Sequence, residues 1–205
     1  MAVTNAERTF RAKAAGIMAQ LMGDFPISAE DAAAIVGNLG HECAGFTLLQ
    51  ETKPVVAGSR GGYGWAQWTG PRRRAYEAYC ARTGKDPASD EANYAYLWIE
   101  LKGIEGSEGK AIEKTKAAKG LDAKVEAFEL AFLRAGVKNY ASRKKYARIA
   151  WACWDIEGKP VKRASKPEVD GPTSQPIKKS TNAIAALFGV LAIAVIAFLK
   201  QAGVF

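Results

Sequence analysis

Histidine is almost missing from this chain: His41 is the only one in 205 residues. Cysteine is scarce too. Cys43, Cys80 and Cys153 cannot all pair within one chain, and their spacing matches no zinc motif. A secreted disulfide framework is therefore not expected, nor is a metal site or another cofactor. The thiols are expected to be reduced and mostly buried. A secretory signal is also lacking, because Glu7, Arg8, Arg11 and Lys13 interrupt any apolar core in the first turns of the chain. No internal repeat is found.

Apolar residues are plentiful. They make up 48% of the chain, with five Trp, seven Tyr and eight Phe, enough for a sizeable core and against global disorder. The formal charge of +8 is unevenly spread: +3 through Glu157 and +5 from Gly158 onward. A basic balance suits a polyanion such as nucleic acid, an anionic lipid face or an acidic wall polymer. The first 157 residues are only mildly basic and carry no RNA-binding motif, so nucleic acid is not expected as a partner.

The pattern along the chain predicts a mainly α domain with a minor sheet. Phe10, Ala14, Ile17, Met18 and Leu21 recur at helical spacing behind a capping box at Thr4 and Glu7. Ser28 caps a second helix running to about Gly40. The glycine-rich stretch "AGSRGGYGWAQWTG" reads as a short strand or hairpin, with Tyr63, Trp65 and Gln67 on one side if it is extended. Pro71 opens another helix, closed by Gly84. Ser89 caps the next, with Tyr94, Leu97, Trp98 and Leu101 on one face. "DAKVEAFELAFLRAG" predicts a helix stopped by Gly136, and a last helix covers roughly 142–154. The total is about seven helices.

The character changes after residue 157. Residues 158–180 hold four prolines, six basic residues and no aromatics, and read as a linker. Residues 181–205 are then apolar. Between Lys179 and Lys200 lie 20 residues without charge, ten of them Leu, Ile, Val or Phe. As a helix they would span about 30 Å, one bilayer core. Three parts are expected: a catalytic domain over 1–157, a linker over 158–180 and a membrane-anchoring helix over 181–205. Basic residues on the amino side of the span put the domain in the cytoplasm.

"GNLGHECAGF" sets Glu42 where a helix runs out into a glycine turn. Three readings compete: a solvated helix end, a member of a Cys/His pair, or a proton donor at the lip of a cleft. His41 and Cys43 are two apart, and such side chains point to different sides of a helix, which argues against the pair. A carboxyl at the carboxyl end of a helix faces the negative end of its dipole, which raises its pKa. Aromatic surroundings raise it further by desolvation. An ordinary glutamic acid is roughly 0.2% protonated at pH 7; one shifted to about 6 is roughly 9% protonated and can serve as a general acid.

"GNLGHECAGF" followed by "GGYGWAQWTGPRRRAYEAY" resembles the phage tail lysozyme family of peptidoglycan-cleaving domains. Glu42, Cys43 and Gly45 hold the first motif, with Cys43 where Ser is common. Gly64, Gln67, Trp68, Thr69, Gly70 and Arg72 hold the second. The resemblance spans about residues 5–155 and leaves out the linker and the apolar tail. It implies an α+β lysozyme-like fold with a small hairpin along the cleft, and Glu42 as the general acid. It further implies that Gln67 hydrogen-bonds a sugar and that Tyr63, Trp65 and Trp68 stack on pyranose faces. Glu51, the nearest downstream carboxylate, is the second catalytic group expected. Glu100 reads as scaffold, and the Arg72–Arg73–Arg74 run as a solvated face. The expected protein is a monomeric muramidase acting on peptidoglycan, held at the host inner membrane with its domain inside until lysis. A lytic transglycosylase and a non-catalytic glycan-binding or tail module are the alternatives.

Overall fold

The computed structural model describes residues 3–54 and 56–157. Seven α-helices and one π-helical segment occur among them: α1 (Asn5–Asp24), α2 (Ala29–Glu42), α3 (Gly70–Thr83), α4 (Asp90–Leu101), α5 (Ala111–Ala117), α6 (Leu121–Phe128), the π segment Glu129–Leu133, and α7 (Tyr140–Glu157).

Helix α2 is the axis of the domain. Its start is set by a capping box, in which Asp31 N–H donates to Ser28 Oγ and Ser28 N–H donates to Asp31 Oδ2. From Asp31 to Gly40 every residue is buried, so this helix is wrapped on all sides, chiefly by α7, α6 and α1. Small residues permit the close approach. A Cβ at Gly37 would lie 2.4–2.6 Å from the backbone and Cβ of Ala147 in α7, and one at Gly40 would strike the Phe10 ring of α1 at 2.3 Å. In α1, Thr4 accepts from Glu7 N–H at 3.1 Å, but the Glu7 carboxylate turns to Arg11 instead of closing the box.

An aromatic cluster joins α3, α4 and the segment before them. Trp68 packs on Tyr76 and Tyr96 with ring centroids 4.6 and 5.2 Å apart. The expected hairpin is not formed: the described residues contain no strand, only the isolated bridges Gln50–Tyr63 and Tyr63–Trp68. Positive φ at Gly61, Gly64 and Gln67 curls the stretch instead of extending it. Tyr63 and Trp68 exchange both backbone hydrogen bonds around the turn 64–67. Side chains therefore do not alternate along it, and Tyr63, Trp65 and Gln67 do not share a face.

A second departure is at 129–133, where the helix predicted through to Gly136 widens from α to π and ends on Arg134 at φ 54°. No helix among the described residues is long and apolar enough to cross a membrane. The predicted linker 158–180 and anchor 181–205 lie outside the described residues.

Gly37→Ala should push α7 away from α2 and cost about 2–3 kcal/mol of stability in urea denaturation. Unchanged stability would mean that the two helices do not meet as closely as the structure has them.

Candidate active site

The chain reverses sharply after α2. Ala44, Gly45 and Phe46 all have positive φ (46°, 64° and 68°), and Phe46 is pinned between Phe10 and Trp65. Ala44 and Phe46, which lack the freedom of the glycine between them, carry strain that the packing must hold. The result fixes Glu42 at the last position of α2, on an open cleft of about 500 Å³. Leu48, Glu51, Thr52 and Lys53 form one wall, with Ala66, Gln67, Thr69 and Arg72 beside them. Leu133, Arg134, Ala135 and Gly136 form the facing wall.

The Glu42 side chain is 16% exposed. Arg143 of α7, itself buried, brings Nη2 to 2.6 Å from Glu42 Oε1. The contact is an ion pair without an aligned hydrogen bond, and Oε1 has no hydrogen-bond partner among the described residues. Burial pushes the Glu42 carboxyl above the usual glutamate range, and the nearby Glu129 charge adds to the rise. Arg143, and more weakly Arg72, oppose it without cancelling it. The helix-end carboxyl is thus neither solvated nor free of charge partners. It is a largely buried acid whose desolvation outweighs its cation.

Arg143 is held on three sides. Its Nη1 donates to Asn38 Oδ1 at 3.2 Å and its Nε to the Lys138 carbonyl at 2.5 Å. Asn38 is fixed in turn, donating to the carbonyls of Ala34 and Val125. Glu129 is fully buried and accepts from Ala135 N–H, Lys138 Nζ and Tyr140 Oη at 2.8–3.0 Å. These donors hold its own carboxyl below the ordinary range although burial alone would raise it. One continuous set of contacts thus joins the wall at 135, the loop at 138, Arg143 and Glu42.

His41 and Cys43 do not form a catalytic pair. The Cys43 thiol is buried, donates to the Leu39 carbonyl, and is pushed up to about 12 by desolvation, so it is not a thiolate near neutrality. His41 Nδ1 lies 2.9 Å from Ser142 Oγ, and burial with Arg143 nearby lowers the imidazole to about 4.

Glu51 lies on the same cleft as Glu42, with Oε2 accepting from Gly62 N–H at 2.7 Å. Gln67 also lines the cleft, but its amide NH2 is spent inside the protein on the carbonyls of Leu49 and Gly64 at 2.9 and 3.0 Å. It braces the wall with its donor side. The aromatic residues are elsewhere. Trp65 and Trp68 are 2% and 1% exposed; one packs on Phe46 and the other donates Nε1–H to Glu100 at 2.7 Å. No sugar can stack on either ring in this arrangement. Tyr63 is half-buried beneath the Arg73 guanidinium and is not on the cleft lining.

The basic run at 72–74 is not a solvated face. Arg72 makes two hydrogen bonds at 2.8 Å to buried Glu100 and one to the Phe132 carbonyl, tying the two walls together. Arg73 is buried and donates to the carbonyls of Arg60 and Gly61 and to Gln50 Oε1, so it staples the 50–61 loop to α3. Only Arg74 of the three is exposed. Glu100 is scaffold, as expected. The sequence reading missed Arg143. The available signal was its spacing from Ala147 and Ala150, which places an arginine on the buried face of α7. Among the described residues no group of His, Cys, Asp and Glu could hold a metal ion.

The fold and site define a class: a helical domain with a largely buried carboxyl, raised above the ordinary glutamate range by desolvation, on an open polar cleft. The model of the phage tail lysozyme family matches residues 12–153, and the chain belongs to that family. Membership gives it a lysozyme-like function directed at peptidoglycan. No curated protein and no solved structure matches the chain.

A raised carboxyl pKa contributes stability that is present below the ordinary glutamate value and is lost as pH rises through the folded value. Glu42→Gln, which mimics the neutral acid, should therefore gain stability relative to the parent as pH increases from about 4 to 7. Paired urea titrations across that range check this; a difference that shrinks with pH would mean that Arg143 dominates the site.

Proposed function

We propose that the protein is a muramidase that hydrolyses the β-1,4 bond between N-acetylmuramic acid and N-acetylglucosamine, with Glu42 as general acid. The observation that carries this reading is the buried Glu42 carboxyl on the cleft, held above the ordinary range by desolvation. A proton kept there can pass to the glycosidic oxygen as its bond to C1 breaks. The cation that develops on the sugar is then met by water.

Glu51 is the group assigned to that water or to the sugar cation. Its place on the same cleft supports hydrolysis over the one-carboxyl chemistry of a lytic transglycosylase. Arg143 acts as a positioning residue, fixing the Glu42 carboxyl from behind. Gln67 braces the wall of the cleft through its amide NH2. Trp65 and Trp68 have no part in sugar binding on this reading.

Glu42→Gln should reduce clearing of purified peptidoglycan by at least about a thousandfold with the fold retained. Mass spectrometry of the products should find reducing ends. Anhydro-muramyl ends would instead identify a transglycosylase, and full activity in the variant would remove Glu42 from the mechanism.

The uncharged run within 181–205 supports attachment to a bilayer, with the domain on the cytoplasmic side. Full-length protein should then sediment with host membranes and be extracted by detergent but not by high salt. Recovery in the supernatant would exclude a spanning anchor.

A further inference from the structure

Two cations on the cleft have no role in handling a neutral sugar. N-acetylated glycan is uncharged, and the anionic groups of peptidoglycan are the carboxylates of the peptide carried by muramic acid. The acids of the cleft do not need these cations either: Glu42 has Arg143, and Glu51 accepts from Gly62 N–H. Arg72 is consumed by Glu100.

We infer that Lys53 on one wall and Arg134 on the other form a subsite for the acidic peptide branch, so that the cleft selects peptide-bearing glycan over bare glycan. The inference rests on the peptidoglycan reading above. Lys53 is exposed on the cleft and has no carboxylate partner among the described residues.

Arg134 is built into place. Its Nη1 donates to Ser107 Oγ at 2.9 Å and its Nη2 meets buried Glu108, yet 46% of the side chain stays open to solvent. Its backbone sits in the left-handed region, which is unfavourable for a residue with a Cβ. That conformation is held by Glu129: its carbonyl takes Arg134 N–H at 2.7 Å and its carboxylate takes Ala135 N–H at 2.8 Å. Two buried glutamates, Glu108 and Glu129, thus fix one short wall from either side. Burying charge is costly. Strain retained on a ligand-facing edge marks a surface shaped for binding rather than for stability.

Gly136 adds an independent observation. A Cβ there would meet nothing within 4 Å, and its φ lies outside the left-handed region. Neither packing nor backbone conformation calls for glycine. What the missing side chain leaves is width at the edge of the cleft, next to Arg134, where a branch could pass.

The test uses the full-length protein on two substrates: intact peptidoglycan, and the same glycan stripped of peptide by an amidase with each freed lactyl carboxyl then capped as a neutral amide. The unmodified protein should show kcat/KM about tenfold higher on the intact polymer. Lys53→Gln and Gly136→Leu should each remove about fivefold to tenfold of the rate on intact polymer while leaving the stripped glycan and the melting temperature unchanged. Arg134→Gln should show the same selectivity, but it also strips buried Glu108 of a partner, so the first two variants decide. Equal rates of the unmodified protein on both glycans, or equal losses on both, would overturn the subsite and leave the glycosidase reading intact. If neither glycan is cleaved, the glycosidase reading fails. Co-sedimentation with the two glycans then decides the subsite by the same comparison, with preferential binding to intact polymer supporting it and equal binding overturning it.

Discussion

Everything at this site follows from one unfavourable act: a carboxyl group is taken out of water at the end of a buried helix. Desolvation favours its neutral form, and Arg143 at 2.6 Å favours its charged form. The first effect is the larger. Arg143 is itself buried and already serves Asn38 and the Lys138 carbonyl, so its charge is shared. A fully committed arginine fork would have pulled the carboxyl down, as the aligned donors around Glu129 do for that residue. Two buried glutamates in one domain thus take opposite protonation behaviour from the number and alignment of their donors.

The need to bury Glu42 reaches back through the fold. Helix α2 must be wrapped on every side, which selects alanine and glycine along it and lets α7 approach at Gly37. That approach sets Arg143, one turn before Ala147, against the end of α2. The π segment ends in a left-handed arginine rather than a glycine, so the facing wall turns back at 134. Glu129 fastens that wall to the loop whose carbonyl receives Arg143. Cleft shape and acid strength are therefore built from shared contacts.

Much of this was legible in the sequence. Spacing and caps located every helix but α5, which was read as a charged segment, and caps at Thr4, Ser28 and Ser89 set three of the starts. Glu42 was singled out by its place before a glycine turn, and Glu51 by its proximity in the chain; both line the same cleft. The hairpin was misjudged because alternation of Tyr63, Trp65 and Gln67 was read on an extended backbone. Left-handed φ at Gly64 and Gln67 destroys that alternation and turns Trp65 and Trp68 into the core. Charge was the least legible feature. Arg72, Arg73, Arg143 and Glu108 are tied into partly or fully buried networks with partners far away in sequence, and residue type alone predicts exposure for all of them.

Membership in the phage tail lysozyme family gives a lysozyme-like function directed at peptidoglycan, and the cleft carries a carboxyl that desolvation raises above the ordinary glutamate range. The most direct test is to follow the side-chain carboxyl carbon of Glu42 by NMR as pH is varied, using glutamate labelled at that carbon and Glu42→Gln to assign the signal. The account predicts a midpoint clearly above that of an ordinary glutamate. A midpoint at or below the ordinary value would mean that Arg143 governs the site and that Glu42 is not the proton donor.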